Sequence, residues 1–172
     1  LILCEGDSAK SGIVSGLTKE DRNIFGVFPL KGKLLNTLDI AQSKINSNEE
    51  ITNIKKILGL TSNKEYNEKD VKKLLRYGQL IFMTDQDLDG SHIKGLCINM
   101  FHSQWHDLIK VENFFGFMNT PILKVTKGTR VKSFYNENSY EIWKKNNNNG
   151  KGWKVKYYKG LGTSTAKEFK EY

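Results

Sequence analysis

Three aspartates at alternate positions, Asp85, Asp87 and Asp89, lie in the stretch Asp85-Gln-Asp87-Leu-Asp89-Gly90, directly after the apolar run Leu80-Ile81-Phe82-Met83. Like charges two residues apart repel unless a cation neutralises them, and all-oxygen ligands suit a hard ion such as Mg²⁺. An acidic turn closed by Asp-Gly is the plain alternative, because both are ordinary turn residues. A second acidic turn favours the metal. The chain opens Leu1-Ile2-Leu3-Cys4-Glu5-Gly6-Asp7, again an apolar run leading into a carboxylate and a glycine. Ions held between such carboxylates and a phosphodiester polarise phosphorus and stabilise the attacking and leaving oxygens, so these residues point to phosphate chemistry.

Such a site needs elements that bring Glu5 and the aspartates together. The run 79–84 is apolar enough for a strand buried on both faces of a parallel sheet, and ligands in such sheets collect beyond the carboxyl ends of strands. Neighbouring parallel strands ending at Glu5 and Asp85 would face one crevice. The elements between them alternate as a parallel sheet requires. We expect a short helix over 8–17 and a strand over Phe25–Phe28 ending at Pro29. A capping box Ser47-x-x-Glu50 opens a helix that carries Ile51, Ile54, Ile57 and Leu58 and stops at Gly59. Another helix over Asn67–Tyr77 turns Val71, Leu74 and Leu75 inward. After the aspartates, Ile93, Leu96, Cys97, Met100, Phe101, Leu108 and Ile109 repeat at helical period. A helix starting at Gly90-Ser91 would aim its positive end at the acidic cluster, with Asp89 as its cap or as a supporting ligand.

Residues 114–126 read as an extended segment interrupted by Pro121, after which the sequence changes character near Asn119. We therefore divide the chain into a core, 1–118, and a basic extension, 119–172. The extension should hold a strand at Lys132–Tyr135, a short helix around Tyr140–Lys145 and an alternating strand Trp153–Tyr158. The run Asn146–Asn149 reads as a flexible loop without chemistry. Thr163 or Thr165 should cap a last helix.

The formal net charge is +8, and 12 of the 27 Lys and Arg but only 4 of the 19 Asp and Glu fall in 119–172, leaving 15 of each in 1–118. Lys124, Lys127, Arg130, Lys132, Lys154, Lys156 and Lys159 lie among Phe134, Tyr135, Trp153, Tyr157 and Tyr158, a mixture suited to tracking a phosphate backbone or simply to a solvated face. At 172 residues and 38% hydrophobic, the chain can bury a real core. No apolar stretch approaches the length of a membrane span and no signal peptide precedes the opening strand, so no membrane partner is expected. Cys4 and Cys97 sit in apolar sequence and read as core residues of a protein in a reducing compartment. Cys97 with His102 and His106 lacks the paired cysteines of a zinc site. The chain begins without Met inside a strand and stops at Tyr172 inside a helix, as expected of a segment of something longer.

Four ordered motifs, Glu5-Gly-Asp-Ser-Ala9, Pro29-Leu-Lys-Gly-Lys33, Asp85-Gln-Asp-Leu-Asp-Gly-Ser-His-Ile93 and Tyr158-Lys-Gly-Leu-Gly-Thr163, together resemble the Toprim region of a type IIA DNA topoisomerase over essentially the whole chain. The wording Asp-Gln-Asp-x-Asp-Gly-Ser-His is similar to the eukaryotic topoisomerase II branch rather than to bacterial gyrase, where Asp-Ala-Asp-x-Asp-Gly-Ala-His is typical. The resemblance implies an α/β Toprim fold, Rossmann-like, with a parallel four-stranded sheet flanked by helices and a C-terminal α+β extension. It implies DNA cleavage and religation through a phosphotyrosyl bond. Glu5 and Asp85 would bind the catalytic Mg²⁺, and Asp85 with Asp87 a second, more structural ion, Mn²⁺ or Ca²⁺ being able to substitute in binding. Lys31, Lys33 and Lys159 would contact double-stranded DNA. The nucleophilic tyrosine would come in trans from a winged-helix part of a homodimer, ATP would be used by another domain, and the protein would be nuclear. Lys31 stands where the resembling motif more often has Arg, which keeps charge but loses planar, bidentate bonding.

Rival readings fail on spacing. Gly26 to Gly32-Lys33 has five intervening residues and Leu34 where a P-loop needs Ser or Thr. Asp87-Leu-Asp89-Gly90 resembles the nucleophile motif of haloacid-dehalogenase-type phosphatases, but the only downstream aspartate is Asp107, without an acidic neighbour. A non-catalytic DNA-binding module, with the acids serving as turns and caps, is a further class. Metal dependence separates it from the cleavage reading.

Overall fold

The structure is a computed structural model describing residues 1–172. Strands β1 (Ile2–Glu5), β2 (Val27–Leu30), β3 (Leu80–Met83) and β4 (Phe115–Phe117) form one sheet in the order β2-β1-β3-β4, with every pairing parallel. The register sets Cys4 beside both Pro29 and Met83, so β1 and β3 end side by side and release Glu5 and Thr84-Asp85 at one edge. Leu3, Cys4, Leu80 and Phe82 have no exposed surface, which is why these short strands read as unbroken apolar runs.

Helices α1 (Gly6–Gly16), α2 (Gln42–Ser47), α3 (Glu49–Leu58), α4 (Glu68–Leu74) and α5 (Leu88–Gln104) flank this sheet. One large core gathers Leu3, Leu30, Ile54, Leu58, Phe82, Ile93, Cys97, Met100 and Phe101. A smaller core on the other face joins Ile2, Cys4, Ala9, Ile13 and Met83 to Leu161 and Phe169 from the far end of the chain. Both cysteines are buried and free, and burial pushes each thiol up to about 12, as inert core residues require. No helix is long and apolar enough to cross a membrane.

A second sheet, antiparallel in the order β6-β5-β7, is built from β5 (Leu123–Lys127), β6 (Arg130–Phe134) and β7 (Lys154–Tyr157). Helix α6 (Glu137–Asn146) packs Tyr140 and Trp143 on it, and α7 (Ala166–Glu171) returns to α1. The residues 114–126 are thus two strands of different sheets, β4 and β5, parted at Pro121.

Several local expectations are corrected. Strand β2 lies at Val27–Leu30 and contains Pro29, tolerated because β2 is an edge strand and one side of it needs no donor. Ser47 ends the separate helix α2, and Asn48 caps α3 by accepting from the Ile51 amide at 3.0 Å, which frees Glu50 from capping. Helix α4 is shorter than the pattern suggests, and Leu74 is 49% exposed while Val71 and Leu75 are buried. Asn148 and Asn149 adopt left-handed backbone in a turn after α6, where the Asn147 amide group donates to the Trp143 carbonyl at 2.8 Å. Asparagine tolerates that region better than most residues, so the run forms a defined turn.

Phe82 is fully buried at the centre of the sheet and its ring stacks against those of both Phe115 and Phe117. Phe82→Ala should cost about 3–5 kcal/mol. Denaturant unfolding measures this, and a loss below 1 kcal/mol would show that the site collapses onto the cavity.

Candidate functional site

The sheet edge gathers the predicted carboxylates, each with a different set of partners. Glu5 ends β1 and stands at the N-cap position of α1, yet its carboxylate makes no capping bond. Its Oε2 is buried and has no hydrogen-bond partner. Burial, followed by the negative charges of Asp85, Asp87 and Asp89, pushes the Glu5 carboxyl above its ordinary range, and Lys33 opposes the shift. The four acids therefore feel one another across the end of two adjacent strands.

Asp85, half-buried just past β3, accepts from the Leu161 amide through Oδ1 at 2.7 Å. That amide belongs to the Lys159-Gly-Leu-Gly-Thr163 turn, and Gly160 packs so closely that a Cβ there would lie 2.8 Å from Asp85 Oδ2. Asp87 caps α5, its Oδ1 accepting from the Gly90 amide at 2.7 Å. The helix therefore starts at Leu88, two residues earlier than expected, and Asp87 takes the capping role assigned to Asp89. Gly90 is required by close approach, since a Cβ would stand 2.1 Å from the Asp85 carbonyl oxygen. Asp89 pairs with Lys33 at 3.0 Å across the crevice, both side chains being more than half exposed. An exposed pair of this kind orients more than it stabilises.

Lys31 and Lys33 extend from the end of β2 and are exposed, and the Lys31 amide donates to Glu50 Oε1 at 3.1 Å. Lys159 is exposed in the turn that holds Asp85 and lines a cavity of about 750 Å³ with Gln86, Tyr135 and Tyr157. Not all of the basic extension faces solvent. Lys124 is 13% exposed and pairs with Glu171 at 3.3 Å, and Lys156 pairs with Glu168 at 3.0 Å. Lys124 and Lys156 are thus held in ion pairs, Lys156 remaining exposed, and Lys127, Arg130, Lys132, Lys154 and Lys159 are exposed as well.

No three His, Cys, Asp or Glu side chains stand close enough together to enclose an ion unaided. The carboxylates nevertheless fit a hard cation that also draws on water or substrate oxygens. Glu5 offers a desolvated oxygen with no donor, and the bonds described engage one oxygen each of Asp85 and Asp87, leaving the other for ligation. His102 and His106 pack ring against ring at 4.6 Å, and Cys97 is buried as a neutral thiol. Asp107 lies in a turn after α5 and pairs with Lys110 at 3.0 Å, where the phosphatase reading would need it among the site acids.

Sequence reasoning missed Glu168. Its carboxylate accepts from the Tyr158 hydroxyl, from Lys156 at 3.0 Å and from the Thr165 amide at 2.7 Å, completing a capping box with Thr165 on α7. The spacing Thr165-x-x-Glu168 was the available signal.

The geometry defines a class. The Toprim domain family matches residues 1–118, and the C-terminal associated domain of Toprim matches residues 118–172. The chain belongs to the Toprim family. It is 54% identical over all its 172 residues to DNA topoisomerase 2-alpha of Rattus norvegicus, spanning 11% of that protein. Against DNA topoisomerase 2 of Acanthamoeba polyphaga mimivirus it is 53% identical over 99% of its length, spanning 14% of the relative. The crystal structure of the Plasmodium falciparum topoisomerase II DNA-binding, cleavage and re-ligation domain superposes with a TM-score of 0.90 at 54% identity, covering 99% of this chain and 23% of that one. The residues thus correspond to the Toprim part of eukaryotic-type topoisomerase II, and they span about a tenth of the curated relatives' length.

Two outcomes follow from the charges. Glu5→Gln should raise the melting temperature in chelator by about 2–4 °C, the equivalent of about 1 kcal/mol, because it removes like-charge repulsion without removing a bond. A fall in scanning calorimetry would reveal a partner for the ionised form. At Glu168, burial alone would raise the carboxyl, but bonds from Tyr158, the Thr165 amide and Lys156 outweigh it and hold the value at about 2 against an ordinary 4.5. A depressed folded value contributes stability above the ordinary value that is lost as pH falls towards 2. Glu168→Gln should flatten the loss of stability between pH 4.5 and 2 in acid denaturation.

Proposed function

We propose that this chain is the Mg²⁺-binding part of the DNA cleavage and religation centre of an ATP-dependent type IIA topoisomerase. The observation that carries the reading is the desolvated, unpartnered Glu5 oxygen beside Asp85, at the ends of two adjacent parallel strands. Burying an ionised oxygen without a partner is costly, and a cation is the partner that four neighbouring acids call for.

Glu5 and Asp85 would hold the catalytic Mg²⁺, Asp85 and Asp87 a second ion, with Asp89 supporting from its pair with Lys33. Bound there, Mg²⁺ supplies charge neutralisation at the scissile phosphate and at the oxygens that attack and leave it. The chain's own residues prepare that chemistry. Asp85 is oriented by the Leu161 amide and Asp87 by the Gly90 amide, so neither carboxylate must reorganise. Lys31, Lys33 and Lys159 contact the phosphates of double-stranded DNA from the β2 end and the glycine-rich turn, as charges rather than base readers. Tyr157 is 60% exposed on β7, and Tyr158 donates to Glu168, so neither is poised as the nucleophile. That tyrosine comes from a winged-helix part of the partner subunit in a homodimer, with ATP used in another domain of a nuclear protein.

In the complete enzyme, Asp85→Asn should leave the fold intact and lower Mg²⁺-dependent DNA cleavage by at least about tenfold to a hundredfold. Unimpaired cleavage at low Mg²⁺ would refute the assignment and favour a binding module. This chain alone should not cleave duplex DNA, and Mg²⁺-dependent nicking by a pure sample, read by plasmid relaxation, would overturn that expectation.

A further inference from the structure

We infer that Glu168 is a positioning residue for the metal carboxylate Asp85, acting through the Lys159-Gly-Leu-Gly-Thr163 turn. The inference rests on the proposed metal-binding role of Asp85 and assigns a function to a side chain that is distant from the crevice. Glu168 binds both flanks of the turn. The Tyr158 hydroxyl and Lys156 reach it from the strand that enters, and the Thr165 amide reaches it from the helix start that leaves. The turn between these anchors is closed internally, with Thr163 donating to the Gly160 carbonyl from its amide at 3.2 Å and its hydroxyl at 2.7 Å.

What the closed turn presents to the crevice is one oriented amide and one bare backbone. The Leu161 N–H points at Asp85 Oδ1, and Gly160 lies against the same carboxylate with no room for a side chain. The Leu161 side chain is buried in the core beside Cys4, Met83 and Phe169, which fixes the turn to the ends of β1 and β3. Phe169, one residue after Glu168, packs on Gly12 and Gly16 of α1, so the carboxylate itself is held by packing as well as by its bonds. A charged acceptor bound by four donors, the Thr165 hydroxyl at 3.1 Å being the fourth, makes a stiffer clamp than a neutral one. Without it, the flanks keep the β7 ladder, the Tyr158 amide bond to the Ile122 carbonyl and the core packing of Leu161 and Phe169, but lose the one side chain that bonds to both of them. The Leu161 amide would then sample positions away from Asp85, and Asp85 would have to be ordered when the ion binds.

The test uses Glu168→Gln and, in case that variant fails to fold, Tyr158→Phe, which removes one donor and leaves the carboxylate. In the full-length chain carrying these residues, hydrogen-exchange mass spectrometry reads protection of the peptide covering 159–165, with the β3 peptide as internal reference. Mn²⁺ affinity is read by electron paramagnetic resonance, with Asp85→Asn as control. We expect exchange of the turn to quicken at least tenfold with β3 unchanged, and Mn²⁺ binding to weaken several-fold, in Glu168→Gln and to a smaller degree in Tyr158→Phe. Unchanged turn protection and Mn²⁺ affinity in a folded variant would overturn the inference. Faster exchange with unchanged Mn²⁺ affinity would overturn it as well, reducing Glu168 to a stability role. If Asp85→Asn itself leaves Mn²⁺ affinity unchanged, the failure lies with the metal-site reading and not with the clamp.

Discussion

Four carboxylates crowd the ends of two adjacent parallel strands, and the rest of the molecule answers that electrostatic constraint. Repulsion would spread these groups in a flexible loop. Here β1 and β3 are buried on both faces and locked in register, so the acids cannot separate by moving the backbone. The raised Glu5 carboxyl, capping by Asp87, amide bonding at Asp85 and the Lys33 pair of Asp89 are four different responses to the same field. Of these four, only Glu5 keeps a buried oxygen without a donor, which makes it the one most in need of a cation.

Each response draws on a different part of the chain. The Asp87 cap is local, immediately before Leu88, the first residue of the α5 run that it initiates. Lys33 comes from the turn after β2, whose own backbone is held by Glu50 on α3. The Asp85 bond comes from residue 161, beyond the second sheet. The C-terminal extension therefore does more than add positive charge, because its last strand, turn and helix reach back to complete the crevice. Two of its lysines, Lys124 and Lys156, are neutralised internally by Glu171 and Glu168 in the process. The unpaired positive surface is correspondingly smaller than the lysine count suggests.

The membership in the Toprim family and the similarity to topoisomerase II over the whole chain agree with this division of labour. A rigid parallel sheet supplies strand ends, while the attached α+β part supplies the Leu161 amide that bonds Asp85. Sites built on buried strands hold their groups more tightly than sites on loops. Lys31 where the resembling motif often has Arg keeps charge at the β2 end while removing a planar contact.

The sequence by itself determined the parallel sheet and the two acidic strand ends, because unbroken apolar runs ending in acid and glycine depend on neighbours close in the chain. For the last helix it left Thr163 and Thr165 both open as caps, and the structure selects Thr165 with Glu168. The sequence misplaced what depends on competition between adjacent residues of similar type. Asn48 displaced Ser47 as a cap and Asp87 displaced Asp89, because either residue of each pair can accept an amide and only the packing of the helix chooses. Pro29 was read as a strand end, although an edge strand admits it. Tertiary structure alone decided that Glu50 would hold Lys31, that Leu161 would orient Asp85 and that Glu168 would tie the turn together. These contacts join residues 19, 76 and 10 positions apart in the chain, and no periodicity or cap signal encodes a partner at such separations.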